Sequence, residues 1–575
     1  MRGRTSTMRT CAPFHPDPEA MDSVTSVLAN LLGHDARSPI IFTGLYFWGF
    51  FALVLAVFTT VYERPFARSL WLFLASLFFY WKTSGLFVLL LMLSIAVDHR
   101  LALHSAASVK VLHKRLFLAA SITVNLGLLL YFKYAGFVVD NLNTILGTSW
   151  EPVNYVARWA NSAWDAHFVE NKILLPVGIS FYTFQCMSYA VDVYRGELKP
   201  VRNLIDLGFY VSFFPQLVAG PIVRAAEFLP QLERPYALTR AQFGIAVFWI
   251  LNGLFKKMVI GDHIAVNFID RVFADPLRYS GAEALLAIIS YSLQVYADFS
   301  GYTDVAIGLA LLMGFHLTVN FNSPYKARNV AEFWKRWHIS LSTWLRDYLY
   351  IPMGGNRSGS LFTWIMLAFI GAALILLTGW WWLPVVYLSV LALVQVLTHV
   401  SPTARIAVST NTNLMITMLI GGLWHGASWL FVIWGGLNGL GLVVYKYWKR
   451  ISPWEGRSHW AVMAFRVLLT FAFISFTRIW FRSESMTTAN AMLDRLLSGI
   501  DPKVLWTVVV GTPSVFALFA LGMVVHWLPE RWKERYRAAF ADLPLWAMGA
   551  ACVVVVIVIQ QARSAEMVPF IYFQF

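Results

Sequence analysis

A single histidine lies near the middle of a long uncharged stretch of the chain. His425 follows Trp424 and precedes Gly426, and residues 406–445 contain no Asp, Glu, Lys or Arg. A neutral imidazole can take up and return a proton near neutral pH, because its ordinary pKa is about 6.5. Polar groups inside apolar segments are costly and tend to serve function. His425 is therefore a candidate general base, and the alternative is a histidine that only forms a hydrogen bond between helices.

A second histidine, His338, lies in an aromatic and basic stretch over residues 333–352. Helical spacing would place the apolar side chains of this stretch on one face and His338 on the polar side, as in an amphipathic or re-entrant helix at a membrane surface. Lys335 and Arg336 could attract an anionic carrier such as the phosphates of coenzyme A, and the alternative is that they snorkel from a cytoplasmic loop. Further candidates for contacts with substrate are Trp337, Ser340, Arg346 and Asp347, together with Trp424 beside the first histidine.

Two more polar clusters interrupt apolar stretches. Asp298 and Asp304 are separated by a short segment that contains Ser300 and Tyr302. Acidic groups at membrane depth must face protein or a water-filled cavity, so these four residues are candidates for lining a tunnel, and the alternative is polar contact between helices. Residues 175–185 combine Pro, Gly and hydroxyl groups and end at Gln185. Gln185 is a further tunnel candidate, and the alternative is a helix kink that serves packing.

The composition restricts the class of protein that carries these residues. Of the 575 residues, 58% are hydrophobic and 13% are charged, whereas soluble domains have roughly 45–50% and 25%. So few charges could not cover a soluble surface, and disorder needs the opposite composition. Apolar runs, several of them of membrane-spanning length, recur along the chain. The sequence therefore predicts an all-α polytopic membrane protein with roughly 11–15 membrane segments.

Charge, cysteines and motifs exclude several functions. The net charge of +14 arises from Lys and Arg between apolar runs, which is typical of cytoplasmic loops and does not indicate nucleic-acid binding. The three cysteines are far apart and predict neither a disulfide framework nor a metal site. No nucleophile elbow, P-loop, dinucleotide fingerprint or H-E-x-x-H motif occurs. We expect a poorly ordered polar extension over residues 1–37 and a single transmembrane domain over 38–575.

Several long motifs, in this order, resemble those of one known family. They are LPVGISFYTFQ (175–185), FPQLVAGPIVR (214–224), YADFSGYTD (296–304), the stretch 337–352, GGLWHGASW (421–429) and FIYFQF (570–575). With them the chain resembles the membrane-bound O-acyltransferase (MBOAT) family, and in particular its bacterial branch of alginate O-acetyltransferases and their relatives. The resemblance covers most of the chain after about residue 40.

The resemblance implies a fold and a function. The fold would be a curved bundle of transmembrane helices around a funnel that a tunnel meets near the middle of the bilayer. His425, in the Trp-His-Gly motif, would be catalytic, and His338 would contribute. The acyl group would pass from a cytoplasmic thioester, acetyl-coenzyme A or another acetyl thioester, to an extracytoplasmic hydroxyl or a partner protein, with no bound cofactor. The expected location is the inner membrane of a bacterium, with an esterase-like periplasmic or membrane-anchored acetyltransferase and a polysaccharide synthase as partners.

This interpretation assigns roles to the two histidines. His425 would act as general base, while His338 would orient a substrate or share the proton, and an acetyl-histidine intermediate is an alternative. The expected acceptor is an exported polysaccharide, alginate-like or another exopolysaccharide. The alternatives are D-alanyl or other acyl transfer to a cell-envelope polymer, and a non-enzymatic lipid or polysaccharide transporter. A transporter would favour duplicated halves, and no internal repeat is visible.

The two histidines lie about twice as far apart as in the family. Residues 360–405 between them contain two apolar segments split by GWWWLP (379–384). Each segment is near spanning length, so we predict an inserted helical hairpin. A hairpin crosses the membrane twice and would leave the sidedness of His425 unchanged.

Overall fold

Wherever the described residues of the chain form regular structure, they form helices. The computed structural model describes residues 32–35, 39–164, 169–171, 173–378, 382–562 and 570. All regular elements of these ranges are helical, which confirms the predicted all-α class. The predicted extension over residues 1–37 lies outside the described residues except for 32–35. That short piece is held by the second helix, because Trp81 Nε1 donates to the Leu32 carbonyl and Lys82 Nζ to the Gly33 carbonyl.

Long bent helices form the first part of the chain. A 3₁₀ turn at Gly85–Phe87 joins two helices into one apolar segment of 43 residues, and a π turn at Leu130–Tyr134 joins the next two into one of 36 residues. Apolar side chains continue through both turns, and the first bent segment replaces two separate apolar runs of the sequence. The helices are α1 (Leu45–Val61), α2 (Pro65–Ser84), α3 (Val88–Ala107), α4 (Val111–Leu129), α5 (Ala135–Leu146) and α6 (Tyr155–Trp164).

A helix of 32 residues, Gly281–Leu312, crosses the centre of the molecule. It begins with a capping box between Ser280 and Glu283. At about 1.5 Å per residue it is about 48 Å long, and it packs along Arg240–Leu254, from which the chain continues through two π turns. The helices of this region are α7 (Ile179–Arg195), α8 (Leu204–Ser212), α9 (Phe214–Leu217), α10 (Ala225–Phe228), α11 (Arg240–Leu254), α12 (Asp262–Ile264), α13 (Asp270–Ala274) and α14 (Gly281–Leu312).

The predicted amphipathic stretch consists of two short helices instead of one. They are α15 (Val330–Arg336) and α16 (Ile339–Leu345). His338 separates them with a φ of 44°, in the left-handed region that non-glycine residues rarely adopt. Backbone hydrogen bonds to residues 320 and 322 replace those of a continuous helix, since the Ile339 N–H donates to the Asn320 carbonyl and the Arg336 carbonyl accepts from the Asn322 N–H. The break therefore arises from a loop that the helical pattern does not contain.

A tightly packed helix pair ends at the candidate histidine. The chain turns sharply after His425 and returns as the next helix, and the two helices approach closely because two glycines lack side chains. A Cβ on Gly422 would lie 2.3 Å from the carbonyl oxygen of Phe431, and one on Gly435 would lie 2.4 Å from that of Met418. The helices from the predicted hairpin onwards are α17 (Leu361–Thr378), α18 (Leu383–Val400), α19 (Pro402–His425), α20 (Trp429–Ile451), α21 (Trp460–Arg482), α22 (Met486–Leu497), α23 (Pro502–Gly511), α24 (Pro513–Trp527), α25 (Glu530–Ala541) and α26 (Leu545–Ala562).

The protein is a multi-pass membrane protein. In the described residues, seven helices are long and apolar enough to cross a membrane, or eight if the bent pair α23–α24 is one span. This count covers only the described residues and is below the predicted 11–15 segments. Two apolar runs join into the segment Pro65–Ala107, α1 has 17 residues and is shorter than a full span, and the run over 204–218 is divided into short helices.

Two apolar cores meet at the candidate histidines. One core includes Trp344 and Trp424, and the other includes Trp337 and Trp434. Aromatic side chains of both cores touch His425, so the histidine lies between them and is held from both sides.

Candidate active site

His425 is the last residue of α19, and its side chain lies inside the protein, where the residue is 3% exposed. The ring centroids of Trp424, Trp434 and Phe481 lie 5.1, 5.1 and 5.3 Å from that of the imidazole. The helix ends here because Gly426 is extended and Ser428 caps the next helix, its hydroxyl accepting from the Leu430 N–H. The turn between α19 and α20 thus presents the imidazole to an aromatic enclosure and not to lipid.

His338 lies next to His425, although 87 positions separate them in the chain. The two ring centroids are 6.3 Å apart, and His338 is 1% exposed. The ring of Phe299 stands edge-on to it at 4.7 Å, and Trp424 lies 5.8 Å away. The structure therefore brings together the two histidines that the sequence singles out.

Asn320 determines which nitrogen of His338 carries the proton. This asparagine is not among the site residues predicted from the sequence. Its side-chain oxygen accepts from the backbone N–H of Ser340 at 3.1 Å, which identifies that atom as oxygen because an N–H can only donate. The hydroxyl of Ser340 donates to the same oxygen at 2.9 Å, and His338 Nδ1 lies 3.2 Å from it. Nδ1 must therefore carry the proton, and Nε2 carries the lone pair that can accept one.

A large cavity of about 1050 Å³ reaches His425 from one side. One face of α19 forms its wall. Thr403 and His425 are 22 positions apart, so this wall is about 33 Å long at about 1.5 Å per residue. The wall residues recur at helical spacing: Thr403, Ile406, Ala407, Thr410, Leu414, Thr417, Met418, Gly421 and His425.

Basic side chains surround the large cavity. Three of them belong to the last turns of α20, about 25–30 Å along that helix from the turn that carries His425. The basic residues are Lys335, Arg346, Lys446, Lys449 and Arg450. Arg336, by contrast, forms an ion pair with Glu332 at 2.9 Å. The cavity therefore combines an apolar and hydroxyl-bearing wall with a basic periphery that suits an anionic ligand.

A small chamber of about 100 Å³ reaches His425 from another side. Its wall is formed by residues 175–181, which belong to one of the resembling motifs, together with Val218 and Trp424. Among the described residues that line it, Lys133 has the one charged side chain. The indole N–H of Trp424 donates to the Ser180 carbonyl at 3.2 Å and so fixes this wall to the end of α19. His425 thus borders both the large cavity and the small chamber.

A third space of about 20 Å³, the size of one water molecule, lies beside His425 between Trp337 and Asn438. The guanidinium of Arg478 lies 4.5 Å from the Trp337 ring centroid, on the same wall. Among the described residues that line the three spaces, none is Asp or Glu. The surroundings of His425 are therefore neutral or positively charged.

The acidic candidates of α14 lie in ion pairs that do not border these spaces. Asp298 contacts Lys257 at 2.5 Å, and Asp304 contacts Lys256 at 2.7 Å. Tyr302 stacks on Phe42 and meets Phe570 edge-on, and Ser300 is buried on the same helix. Gln185 is also buried and borders none of the three spaces. The structure does not bring these five candidates together with the histidines.

Asp347 forms ion pairs on the rim of the site. Arg224 lies 2.5 Å and Arg346 2.6 Å from its carboxylate oxygens. Partial burial favours the neutral acid, but the hydrogen bonds from Arg346 and Arg224 outweigh it and hold the pKa of Asp347 below its usual range. Asp347 is therefore ionised at neutral pH and serves the two arginines as a partner.

Comparison with known proteins gives a consistent picture. The sequence model of MBOAT, the membrane-bound O-acyltransferase family, matches residues 197–381. The chain is 33% identical over 467 residues to peptidoglycan O-acetyltransferase of Helicobacter pylori, covering 76% of each chain. It is 35% identical over 469 residues to the probable alginate O-acetylase AlgI of Azotobacter vinelandii, covering 80% of this chain and 78% of the relative. It is also 26% identical over 317 residues to teichoic acid D-alanyltransferase of Bacillus subtilis, covering 54% of this chain and 69% of the relative.

Proposed function

The chain belongs to the membrane-bound O-acyltransferase family and is an O-acyltransferase, and we propose that it transfers acetyl groups to an exported cell-envelope polysaccharide. The observation that carries the proposal is that His425 borders two cavities at once. A donor in one and an acceptor in the other would meet at this imidazole. The relatives named for O-acetylation match more of the chain, at higher identity, than the relative named for D-alanylation.

The donor would occupy the large cavity. Its basic periphery fits a thioester whose carrier bears phosphates, such as acetyl-coenzyme A. The last two turns of the transmembrane helix α20 contain Lys446, Lys449 and Arg450. Such clusters of Lys and Arg are typical of the cytoplasmic ends of transmembrane helices. This supports entry of the donor from the cytoplasm of a bacterial inner membrane. An esterase-like partner and a polysaccharide synthase would then complete the route to the glycan outside.

The chemistry follows from the two imidazoles. An acceptor hydroxyl attacks the carbonyl carbon of the thioester, and a C–O bond forms as the C–S bond breaks. His425 takes the hydroxyl proton and returns it to the leaving thiolate. The lone pair on His338 Nε2, oriented through Asn320, provides a second proton acceptor on the neighbouring imidazole, whose ring centroid is 6.3 Å from that of His425. The aromatic enclosure excludes water that would otherwise hydrolyse the thioester.

Membrane vesicles and labelled acetyl-coenzyme A test this function. Vesicles from cells that produce the chain and their exported glycan are incubated with the labelled donor, and vesicles without the chain are the control. We expect alkali-labile acetate on the glycan or on a partner protein. Movement of glycan or lipid without acetylation would contradict the proposal and favour a transporter, and label that appears only as an alanyl ester from an alanyl donor would favour D-alanylation.

A further inference from the structure

Lys133 reaches the backbone of His425 from a distant part of the chain. It lies in the π turn Leu130–Tyr134 between α4 and α5. Its Nζ donates to the carbonyl of Trp424 at 2.6 Å, to that of His425 at 3.2 Å, and to the Ser180 hydroxyl at 3.3 Å. The three N–H groups of the ammonium are therefore all used, two of them at the end of α19 and one at the start of α7.

The end of α19 requires such partners. The last carbonyls of a helix have no intrahelical donor, and α19 ends inside the protein. Tyr134, the neighbour of Lys133, donates its hydroxyl to the Leu423 carbonyl at 2.6 Å. The carbonyls of residues 423, 424 and 425 are thus bound by two adjacent side chains of one π turn. π turns inside helices are frequent at functional sites. A cation is also favoured at this end by the helix dipole.

Three acceptors surround Lys133 Nζ, which matches the three N–H donors of an ammonium, so Lys133 supplies the positive charge of the small chamber. The other lining residues of that chamber, among those the structure describes, are uncharged, and none lining the neighbouring cavities is acidic. A positive charge on an acyl group at the His425 imidazole would lie next to this chamber, in a low-dielectric space, and would meet repulsion without a compensating anion. An oxyanion formed on the thioester carbonyl would be stabilised there.

We propose that Lys133 is a positioning and specificity-determining residue, which holds the His425 backbone in place and restricts transfer to acyl groups that carry no positive charge. The inference rests on the proposed acyl transfer at His425. It names the acyl class of that site, a small neutral acyl group such as acetyl, as opposed to an aminoacyl group with an ammonium.

A matched pair of donors tests the charge selection. Lactyl-coenzyme A and D-alanyl-coenzyme A have acyl groups of nearly the same size and differ in a hydroxyl against an ammonium. In vesicles of the full chain we expect lactyl transfer at least about 10-fold faster than alanyl transfer, because an acyl group held at His425 lies beside Lys133, whose Nζ contacts the His425 carbonyl. Equal rates with the unchanged chain would overturn the proposed selection.

Two neighbouring substitutions separate charge from structure. Lys133→Met removes the charge and the hydrogen bonds, whereas Tyr134→Phe removes a hydrogen bond to the same helix end and no charge. We expect Lys133→Met to lower acetyl transfer about 10²-fold through misplacement of His425 and to bring the lactyl-to-alanyl ratio close to one. Tyr134→Phe should lower both rates and leave the ratio unchanged. An unchanged ratio in Lys133→Met would contradict the inference.

Controls keep this result distinct from a failure of folding or of the proposed function. Lys133→Arg retains the charge and should retain the ratio even if the rate falls, so it serves if Lys133→Met is not inserted in the membrane. Glycan acetate is first measured in cells with the unchanged chain. Its absence would refute the proposed acetyl transfer, whereas its presence with an unaltered ratio in Lys133→Met would refute only the role of Lys133.

Discussion

Two regions of this membrane protein bury ionisable side chains, and they do so in different ways. On α14, Asp298 and Asp304 are each bound by a lysine, and neither lines the three described spaces beside His425. At the turn between α19 and α20, His425 lies among aromatic rings where two cavities meet, with no carboxylate on their described walls. Burial of a polar group is common to both regions. A cavity beside the buried polar group distinguishes a candidate active site, such as that at His425, from an ion pair that only joins helices.

Removal of the imidazole at the cavities should have the most severe consequence for transfer. We expect His425→Ala to lower acetyl transfer by about 10⁴-fold or to background, because the general base is lost. The measurement is labelled acetate per molecule of inserted protein in vesicles. His99→Ala is the matched control, since His99 is also buried, its Nε2 lies 3.2 Å from the carbonyl oxygen of Arg202, and it lines none of the three spaces beside His425. Full activity of His425→Ala would show that acetyl transfer does not take place at this turn.

The ion pairs of α14 should affect stability and not chemistry. Asp304→Asn leaves Lys256 buried without its anion, and we expect a loss of about 3–5 kcal/mol in the free energy of unfolding. Adding Lys256→Met should recover much of it, because no buried charge then remains. Thermal unfolding followed by fluorescence in detergent measures both variants. A 10²-fold lower rate per folded molecule in the double variant would instead place α14 in the site.

Asn320 allows the role of the His338 tautomer to be tested. Asn320→Ala removes the acceptor that holds the proton on His338 Nδ1, and we expect acetyl transfer to fall about 10–100-fold, as for other groups that orient a functional histidine. Asn322→Ala is the control, because the contacts of Asn322 to Arg336 are made by its backbone. Equal rates of the two variants would mean that the tautomer of His338 is irrelevant to transfer.

The smallest effect is expected at the basic end of the large cavity. Lys449→Gln combined with Arg450→Gln should raise the KM for the thioester donor roughly 5–10-fold with kcat unchanged, and the difference should shrink at high salt. Initial rates at low and high ionic strength measure it. Arg457→Gln, outside the cavity lining, is the control. A fall in kcat at constant KM would contradict a role in donor capture.

The sequence was sufficient for the helical class and for the pair of histidines. His425 and His338 stand in long motifs with strong local signals, and the structure places their rings 6.3 Å apart. Membrane segments were harder to count, because apolar composition continues through the turn at Gly85–Phe87 and the π turn at Leu130–Tyr134. Periodicity also predicted one continuous helix, whereas the structure has two short helices separated by His338. The residues that bind the backbone at this break lie earlier in the chain, so the local pattern does not show them.

Partners from distant segments could not be predicted in this way. Lys133 precedes His425 by 292 positions and Asn320 precedes His338 by 18, and neither stands in a motif that identifies its role. The partners of Asp298 and Asp304 had a signal that could have been used, because Lys256 and Lys257 are adjacent charges in an apolar run. Opposite charges at membrane depth favour pairing.

The most direct test is the position of a bound donor. A structure determined by electron cryomicroscopy with a non-hydrolysable analogue of acetyl-coenzyme A would show it. We predict that the analogue fills the large cavity with its phosphates toward Lys449 and Arg450 and its acyl carbonyl against the imidazole of His425. An analogue that binds elsewhere, with its acyl group remote from that ring, would contradict the account.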